Sequence, residues 1–435
     1  MSDKAHEPAA ALPGQPGPAY RNWVLFILVV VYTFNFVDRQ ILGILKDSIQ
    51  VELGLTDTQV GLMGGIAFAA LYSILGIPIA WLADRFSRTW IMTAAVTVWS
   101  GFTVACGFAS SFWSLFLYRM GVGVGEAGGV APAYSLISDY FPPAQRGRAL
   151  AVFSFGIPLG MALGILLGGL IAARIDWRTA FIVVGAAGLA LGPLLRLTVR
   201  DPKRGGWDAQ PQGEAAAAPR VPSLGKVAGT VFPKASFWLL AFGAASSSVC
   251  GYGVAFWLPT FFQRSLGLSL EQTALYYGAI VFLGGVAGIW LGGALADRFG
   301  SKSRGAYALV PALCFVVALP CFFLALNAPN LAFAFGLFLI PTGLNLAWLG
   351  PVITAVQHLA PASMRSTASA LFLLINNLVG IALGTYYFGW MSDVLKPWFG
   401  QESIRYAIYS GGAFYLVAAT LLVLASRSLK RDWVD

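Results

Sequence analysis

The sequence predicts an all-α membrane protein with twelve spanning helices arranged in two related sets of six. Three observations predict this class. Of 435 residues, 57% are hydrophobic and only 11% are charged, whereas a soluble domain averages about 25% charged residues. The mean hydropathy is +0.72, and the chain contains twelve apolar runs near the length of about 20 residues that crosses a bilayer. The tetrapeptide ADRF also occurs once in each half.

The apolar runs divide the chain into segments. The runs lie at approximately 22–47, 58–83, 89–109, 112–139, 146–173, 177–197, 235–261, 272–296, 306–326, 330–357, 366–391 and 405–426. Residues 1–21 are rich in Ala, Pro and Gly and lack the apolar core of a cleavable signal peptide, so we interpret them as a disordered cytoplasmic tail. The polar segment 198–234 is interpreted as a cytoplasmic linker. The prediction is therefore two six-helix bundles, 22–197 and 235–426, and a short tail, 427–435.

The distribution of lysine and arginine predicts the orientation. If both termini are cytoplasmic, the inner segments hold twenty Lys and Arg residues, the outer segments hold six, and two lie inside apolar runs. Cytoplasmic loops carry the excess of positive charge in membrane proteins. We therefore expect a multi-pass inner-membrane protein, a monomer with both ends in the cytoplasm.

The two halves also resemble each other in sequence. LGLTDTQVG from Leu53 aligns with LGLSLEQTA from Leu266 at an offset of 213 residues, and the same offset superposes ADRF at 83–86 on ADRF at 296–299. Shared spacing over this length indicates a duplication with parallel halves. That arrangement is typical of transporters in which one bundle rocks against the other.

Both copies place Asp-Arg at the cytoplasmic end of a second helix, in ADRFSR and in GGALADRFGSKSR. This pattern resembles the loop signature of the major facilitator superfamily, although Ala80 and Ser87 replace glycines in the first copy. The resemblance implies a 6+6 pseudo-symmetric fold and a cytoplasmic gate, in which Asp84 accepts from a neighbouring helix N-terminus and from Arg146. The alternative is that these residues only set the topology. The candidate gate residues are Asp84, Arg85, Arg88, Arg146, Asp297 and Arg298.

The first half resembles the Spinster family of lipid transporters more narrowly. The resemblance is carried by FNFVDRQILGIL (Phe34 to Leu45), GVGEAGGVAPAYSLISDYFPPAQRGRAL (Gly123 to Leu150) and FGIPLGMALG (Phe155 to Gly164). Organic-anion symporters of the superfamily also carry a D-R on their first helix and a G-E-A on their fourth. Glycines at 156, 160, 164 and 168 predict that one helix packs closely on a neighbour.

Four ionisable residues fall inside apolar runs: Asp38, Arg39, Arg119 and Glu126. Charges in a bilayer are costly and mark substrate or ion pathways. Asp38 and Arg119 are expected at a similar depth, so we predict that they face each other as a switching pair. Glu126 is predicted to bind the proton or a cationic group of the substrate. Arg39 is an auxiliary, or points away from Asp38 toward loop carbonyls. The alternative is a static ion pair between Glu126 and Arg119 that fixes helix packing.

The second half lacks an acid or base deep in its runs and offers amides and aromatics instead. The predicted cavity-lining residues are Asn376, Asn377, Tyr252, Asn345 and Trp348. The alternative for each of these side chains is that it faces lipid or a neighbouring helix. A charged wall opposite an apolar wall suits an amphipathic substrate. The sequence therefore predicts a proton-coupled transporter of an amphipathic, lipid-like molecule. The alternatives are a proton-coupled symporter of small organic anions and a uniporter.

An enzyme is the remaining class to weigh, because Gly123, Gly125 and Gly128 have the spacing of a dinucleotide-binding loop. That loop needs a preceding strand and an acid about 20 residues further on. Residues 112–120 are an apolar helix and the next acid, Asp139, is too close. We therefore predict that the protein is not an enzyme, has no cofactor, and uses these glycines for helix packing. The four cysteines and two histidines form no metal-binding pattern, and no nucleic-acid motif is present.

Overall fold

The computed structural model describes residues 17–204, 223–300, 303–361 and 364–434, so most of the predicted tail and linker lies outside the described residues. The described chain is helical throughout its length and contains seventeen α-helices. They are α1 (Pro18–Leu53), α2 (Asp57–Gly64), α3 (Ile66–Ala83), α4 (Arg88–Cys106), α5 (Phe112–Glu126), α6 (Val130–Tyr140), α7 (Pro143–Ser154), α8 (Gly156–Arg174), α9 (Trp177–Thr198), α10 (Leu224–Val231), α11 (Ala235–Arg264), α12 (Leu270–Gly300), α13 (Ala306–Leu326), α14 (Leu331–Leu346), α15 (Leu349–Gln357), α16 (Arg365–Phe399) and α17 (Ser403–Asp432).

The predicted twelve-helix membrane fold is confirmed. Ten segments of the described chain are long and apolar enough to cross a membrane, and the last of them, Thr367–Asp432, contains both α16 and α17. The broken pair α5–α6 supplies the twelfth crossing. Since twelve crossings return the chain to its starting side, both termini lie at the same end of the bundle. We call this the termini side, and the opposite end the distal side.

Four of the predicted spans are broken rather than continuous: α2–α3, α5–α6, α7–α8 and α14–α15. The α5–α6 break follows Glu126 directly, where Gly128 and Gly129 donate to carbonyls only three residues back, those of Gly125 and Glu126. This tighter turn replaces α-helical bonding. The prediction of one continuous helix over 112–139 is therefore wrong.

The glycines of α8 form the close contact with α1 that the sequence predicts. A Cβ atom added at Gly160 would lie 2.3 Å from the Thr33 carbonyl oxygen, and one at Gly164 would lie 2.7 Å from the Val37 carbonyl oxygen. Such distances leave no room for a side chain between the two backbones. Because Val37 immediately precedes Asp38, the glycine stripe fixes the depth and rotation of the charged part of α1.

Replacing Gly160 by alanine is expected to destabilise the protein by about 1–3 kcal/mol, the usual cost of forcing extra volume into a packed core. Thermal unfolding in detergent should show a lower Tm for Gly160→Ala. Gly101→Ala in α4 is the matched control, because a Cβ atom there meets nothing within 4 Å. An unchanged Tm for Gly160→Ala would contradict the proposed close contact.

The two halves, α1–α9 and α11–α17, meet mainly where α8 packs on α12 and where α2 and α3 pack on α16. The contact is tight near the distal side, since a Cβ atom at Gly61 would lie 2.6 Å from the Thr385 carbonyl oxygen. The hydroxyl of Thr385 donates to the Gly61 carbonyl at 2.8 Å. We call this set of contacts, which includes the ends of α1, α2, α11 and α16, the distal seam.

Candidate functional site

The central feature of the first half is a buried ion pair between α1 and α5. Nε of Arg39 donates to Oε2 of Glu126 at 2.7 Å, and the two side chains are 14% and 0% exposed. The predicted assignment of Arg39 to loop carbonyls is therefore wrong, and so is the alternative pairing of Glu126 with Arg119. Sequence reasoning failed here because the α5–α6 break and the tilt of α1 set which arginine reaches the carboxylate.

Asp38 and Arg119 do lie next to each other, as predicted, but they are not joined through the carboxylate. Nη1 of Arg119 donates to the backbone carbonyl of Asp38 at 3.2 Å. Both side chains are almost fully buried, at 1% and 2% exposure. Oδ1 of Asp38 and Nε of Arg119 make no hydrogen bond to any described residue. The geometry leaves both groups with unused hydrogen-bonding capacity beside Glu126.

Aromatic rings surround the Arg39 guanidinium. Its Cζ lies 5.0, 4.9 and 4.7 Å from the ring centroids of Phe36, Phe68 and Tyr72. Tyr252 from α11 in the other half interacts electrostatically with Arg39, yet its residue surface is 37% exposed. Since its neighbours include Arg39 and Tyr72 of the first half, Tyr252 lies at the boundary between the halves. Arg39 is 14% exposed at the same boundary.

The predicted lining residues of the second half have different environments. Asn345 lines a cavity of about 50 Å³ whose walls include Val254, Leu258 and Phe322, and it accepts a hydrogen bond from the Tyr415 hydroxyl. Asn376 is buried and accepts from Ser248 at 2.9 Å. Asn377 is half-buried. Trp348 packs against Phe372 inside the core. Tyr252 and Asn345 therefore have the clearest access to space between helices.

The predicted gate residues are mostly held within one half. Arg88 is 1% exposed, forms a short ion pair with Asp139, and binds Asp201 through Nη2 at 2.8 Å. It thereby ties the start of α4 to the end of α6 and to the segment after α9. Cζ of Arg85 lies 3.8 Å from the ring centroid of Trp81.

The remaining gate residues also lie on the termini side. Asp84 is exposed, and Nε of Arg146 donates to the Phe141 carbonyl at 3.1 Å. Arg298 is exposed, while the side chain of Asp297 is not among those that the structure describes. Nε of Arg146 therefore bonds to a backbone carbonyl and not to Asp84, its predicted partner.

A polar network across the distal seam was not predicted. Arg264 of α11 binds both carboxylate oxygens of Asp57 at 2.9 Å and Asp47 of α1 at 2.8 Å. Gln50 donates to Asp57 at 2.7 Å, so four residues from three helices share one cluster. Asp47, Asp57 and Arg264 are separated by up to 217 positions, and no spacing along the chain connects them.

The seam also contains contacts from α16. Asp393 accepts from the backbone N–H and the hydroxyl of Thr58 at 2.7 and 2.6 Å, at the N-terminus of α2 where the helix dipole favours an anion. Lys46 was counted among the charges outside the membrane, but it is 0% exposed. Its ammonium donates to the Gly43 carbonyl and lies 5.3 Å from the ring centroids of Phe256 and Trp257.

The glycines of the G-x-G-x-x-G segment serve helix packing, which confirms the prediction. A Cβ atom at Gly123 would lie 2.6 Å from the Phe68 carbonyl oxygen, and one at Gly125 would lie 2.4 Å from the Trp99 backbone nitrogen. The first contact brings α5 against α3 and the second brings it against α4. Arg119 and Glu126 are held inside the bundle by these close approaches.

Comparison with known proteins places these features in context. The sequence profile described as Major Facilitator Superfamily matches residues 28–385. The chain is 31% identical to a protein named MFS-type efflux pump from Mycolicibacterium smegmatis, over 95% of each chain. It is 29% identical to protein spinster homolog 1 from Homo sapiens, over 87% of this chain and 74% of that protein.

Solved structures give the same result. The crystal structure of a bacterial homolog to the human lysosomal transporter Spinster, in an inward-facing and unoccupied conformation, matches with a TM-score of 0.87 and 29% identity, over 97% of this chain and 100% of that chain. A D-xylose-proton symporter matches with a TM-score of 0.70 at 16% identity, over 96% and 98%. The latter shows similarity of fold alone.

Proposed function

This chain belongs to the major facilitator superfamily, and from that premise we propose that it couples proton movement to the transport of an amphipathic, lipid-like molecule. It is a membrane-spanning, Spinster-like transporter of the alternating-access fold and not an enzyme. The observation that carries the coupling proposal is the ion pair between Arg39 and Glu126, buried at the boundary between the halves.

Protonation of Glu126 removes the negative charge that holds Arg39. The guanidinium then keeps its aromatic neighbours but loses its only carboxylate hydrogen bond among the described residues. A buried charge without a partner is unfavourable, so Arg39 becomes available to the anionic group of a substrate. Asp38 and Arg119, which lie alongside, are the second pair whose contacts change with the proton. Proton binding and substrate binding are thereby linked.

The substrate class follows from the two walls of the cavity. The first half presents Arg39, with Glu126 buried behind it, while the second half presents Tyr252 and, further along α11, a mainly apolar cavity lined by Val254 and Leu258. A polar head fits the first wall and a hydrocarbon segment fits the second. The names of the relatives, a human lysosomal transporter homologue and an efflux pump, are compatible with this class.

We further propose that both termini are cytoplasmic in the inner membrane, because lysine and arginine are concentrated on the termini side. The distal seam is then the closed extracellular side, in agreement with the inward-facing conformation of the similar crystal structure. The exposed Asp84 would form its gate contacts only after the cytoplasmic side closes.

A substrate screen in proteoliposomes, with and without an imposed pH gradient, tests the proposal. Long-chain lipids and lysolipids should be transported, should compete with one another, and should accumulate only when the gradient is present. Competition by small organic anions and none by long-chain lipids would replace this proposal with the organic-anion symporter. If the transport of every substrate is independent of the pH gradient, the protein is a uniporter.

Replacing Asp84 by asparagine is expected to favour the inward-facing state. A carboxylate at a helix N-terminus is worth about 0.3–1 kcal/mol, so the equilibrium should shift about two- to fivefold. Distances between spin labels at the exposed Gln145 and Ser303 on the termini side report the two populations.

Asp176→Asn is the matched control for Asp84→Asn. Its carboxylate accepts from the Thr179 N–H at the start of α9 on the distal side. That hydrogen bond holds the pKa of Asp176 below its usual range, so the group is charged at working pH. Equal effects of the two substitutions would contradict a gate role for Asp84.

A further inference from the structure

A second, smaller cavity lies in the first half beside the α5–α6 break. Its walls come from α1, α4, α6 and α7 and include Asn35, Trp99, Gly129 and Val130. Gly129 donates its backbone N–H to the Glu126 carbonyl at 3.1 Å, so the cavity begins within one turn of the proposed proton site. Neither Asn35 nor Trp99 has a role in the function proposed above.

The polar atoms around this cavity have no protein partners. Nδ2 and Oδ1 of Asn35, Nε1 of Trp99 and Oε1 of Glu126 make no hydrogen bond to any described residue. The three side chains are 2%, 0% and 0% exposed. Buried polar groups in folded proteins are paired with protein or with ordered water in the large majority of cases. The Asn35 side chain lies close to the Glu126 carboxylate, and these donors and acceptors beside one cavity point to a bound ligand that can both donate and accept.

Water fits this chemistry and this volume. A buried water makes about three hydrogen bonds, and the space open to a water-sized molecule here is about 10 Å³, which is about what a single water needs. Apart from the phenol of Tyr32, the rest of the wall is apolar and includes Leu28, Val31 and Met92. The wall therefore provides no carboxylate for a metal cation and no positive charge for an anion.

We propose that this cavity holds ordered water bound to Asn35 and Trp99, and that this water is the path by which Glu126 exchanges its proton. The inference rests on the proposed role of Glu126 as the proton site. In the step, a hydronium in the cavity gives its proton to Oε1 of Glu126 and remains as water, and release is the reverse. Atoms and charge balance without any other reactant.

The charged and titratable groups that face Glu126 leave this side of the carboxylate available. Arg39 from α1 binds the other oxygen, Oε2, at 2.7 Å. Asp38 from α1 and Arg119 from α5 interact with Glu126 electrostatically, and Tyr72 from α3 lies by Arg39. The described lining of the cavity carries the amide of Asn35, the indole of Trp99 and the phenol of Tyr32, and no charged group. A proton can therefore reach Oε1 without passing the cation at Oε2 or the substrate cavity.

Trp99→Phe and Asn35→Leu test the relay, because the first removes the indole N–H together with one ring of a buried side chain and the second removes the amide at similar volume. Two rates are measured in proteoliposomes: net transport driven by a pH gradient, and substrate exchange at equal pH on both sides. Positioned proton-transfer groups contribute about 10²–10⁴-fold in rate, so we expect net transport to fall about tenfold or more while exchange is kept. Trp90→Phe, at an exposed tryptophan of the same helix, is the control and should change neither rate.

The outcomes separate the relay from a structural role. Unchanged net transport in both variants, or an equal loss of net transport and exchange, would overturn the relay. A structure of the wild-type protein at a resolution that shows ordered water gives an independent result: density between Asn35, Trp99 and Glu126 is expected, and an empty cavity would overturn the proposal. If transport by the wild-type protein is independent of the pH gradient, the proposed proton coupling is wrong. The relay is then wrong as well, whether or not density for ordered water is present.

Discussion

Replacing Glu126 by glutamine is expected to abolish the accumulation of substrate by a pH gradient. A gradient of one pH unit is worth about 1.4 kcal/mol per proton, so one coupled proton can sustain an accumulation of about tenfold. Glutamine keeps the size of the side chain but cannot bind and release a proton. The accumulation ratio of Glu126→Gln should therefore fall from about tenfold to about one, while exchange of substrate across the membrane continues.

The structure also predicts why exchange should survive this substitution. Glutamine resembles the protonated carboxyl, which no longer holds Arg39 by charge. The substitution therefore leaves Arg39 with its aromatic neighbours Phe36, Phe68 and Tyr72 and free to bind an anionic group. The protein is expected to behave as a permanently protonated carrier.

Accumulation ratios with a radiolabelled substrate, measured across a series of imposed gradients, check this prediction. Glu52→Gln is the matched control, because Glu52 is 48% exposed at the distal end of α1, where it pairs with Arg178. Its substitution should leave the dependence on the gradient unchanged. Gradient-driven accumulation by Glu126→Gln equal to that of the wild type would refute Glu126 as the proton site.

Replacing Arg264 by alanine is expected to open the distal seam. Arg264 is the cation between Asp47 and Asp57, and its removal leaves the buried carboxylate of Asp57, 1% exposed, with Gln50 and Ser392 but without a counter-charge. Breaking a buried ion pair by removing one partner costs about 3–5 kcal/mol. Arg264 itself is 18% exposed, so we expect the lower part of that range or somewhat less.

Opening relieves this cost because water can then reach Asp57. A shift of about 2 kcal/mol changes the ratio of the two conformations about thirtyfold. Since the Thr58–Asp393 and Thr385–Gly61 hydrogen bonds remain, the protein should still close for part of the time. The expected result is a large increase in the distal-open population, not unfolding.

Spin-label distances check this outcome, with cysteines introduced at the exposed Val51 of α1 and Lys396 of α16 in a background without the four native cysteines. A longer distance should dominate in Arg264→Ala. Arg178→Ala is the control, since Arg178 binds Glu52 and the carbonyls of Gly107 and Ala109 within one half. The same distance distribution for Arg264→Ala and the wild type would show that the network does not hold the seam closed.

Several elements of the fold could be predicted from local sequence because their physical cause is local. Apolar runs identify the helices, since a bilayer requires a minimum length of apolar chain. The glycines at 160 and 164 indicate a close helix contact because they recur every four residues on one face. The break after Glu126 was missed, because glycines are common in membrane helices and their spacing does not reveal where the backbone tightens.

The candidate site was predicted in composition but not in pairing. The sequence identifies Asp38, Arg39, Arg119 and Glu126 because charged residues inside apolar runs are rare. It does not specify that Glu126 binds Arg39, which lies 87 positions earlier in the chain. This pairing depends on the rotation of α1 against α5. Lys46 was likewise assigned to the outer segments because it stands at the end of the predicted run 22–47, whereas α1 continues to Leu53.

The sequence by itself determined the class of this protein: a membrane transporter of duplicated design with its charges concentrated in the first half. These properties depend on hydropathy, charge and repetition, which can be counted along the chain. The tertiary structure alone decided which charges pair, that Arg264 joins the two halves at the distal seam, and that unpartnered atoms of Asn35 and Trp99 surround a cavity beside Glu126. Such contacts join helices distant in the chain, and their geometry is set by how those helices pack and rotate against one another.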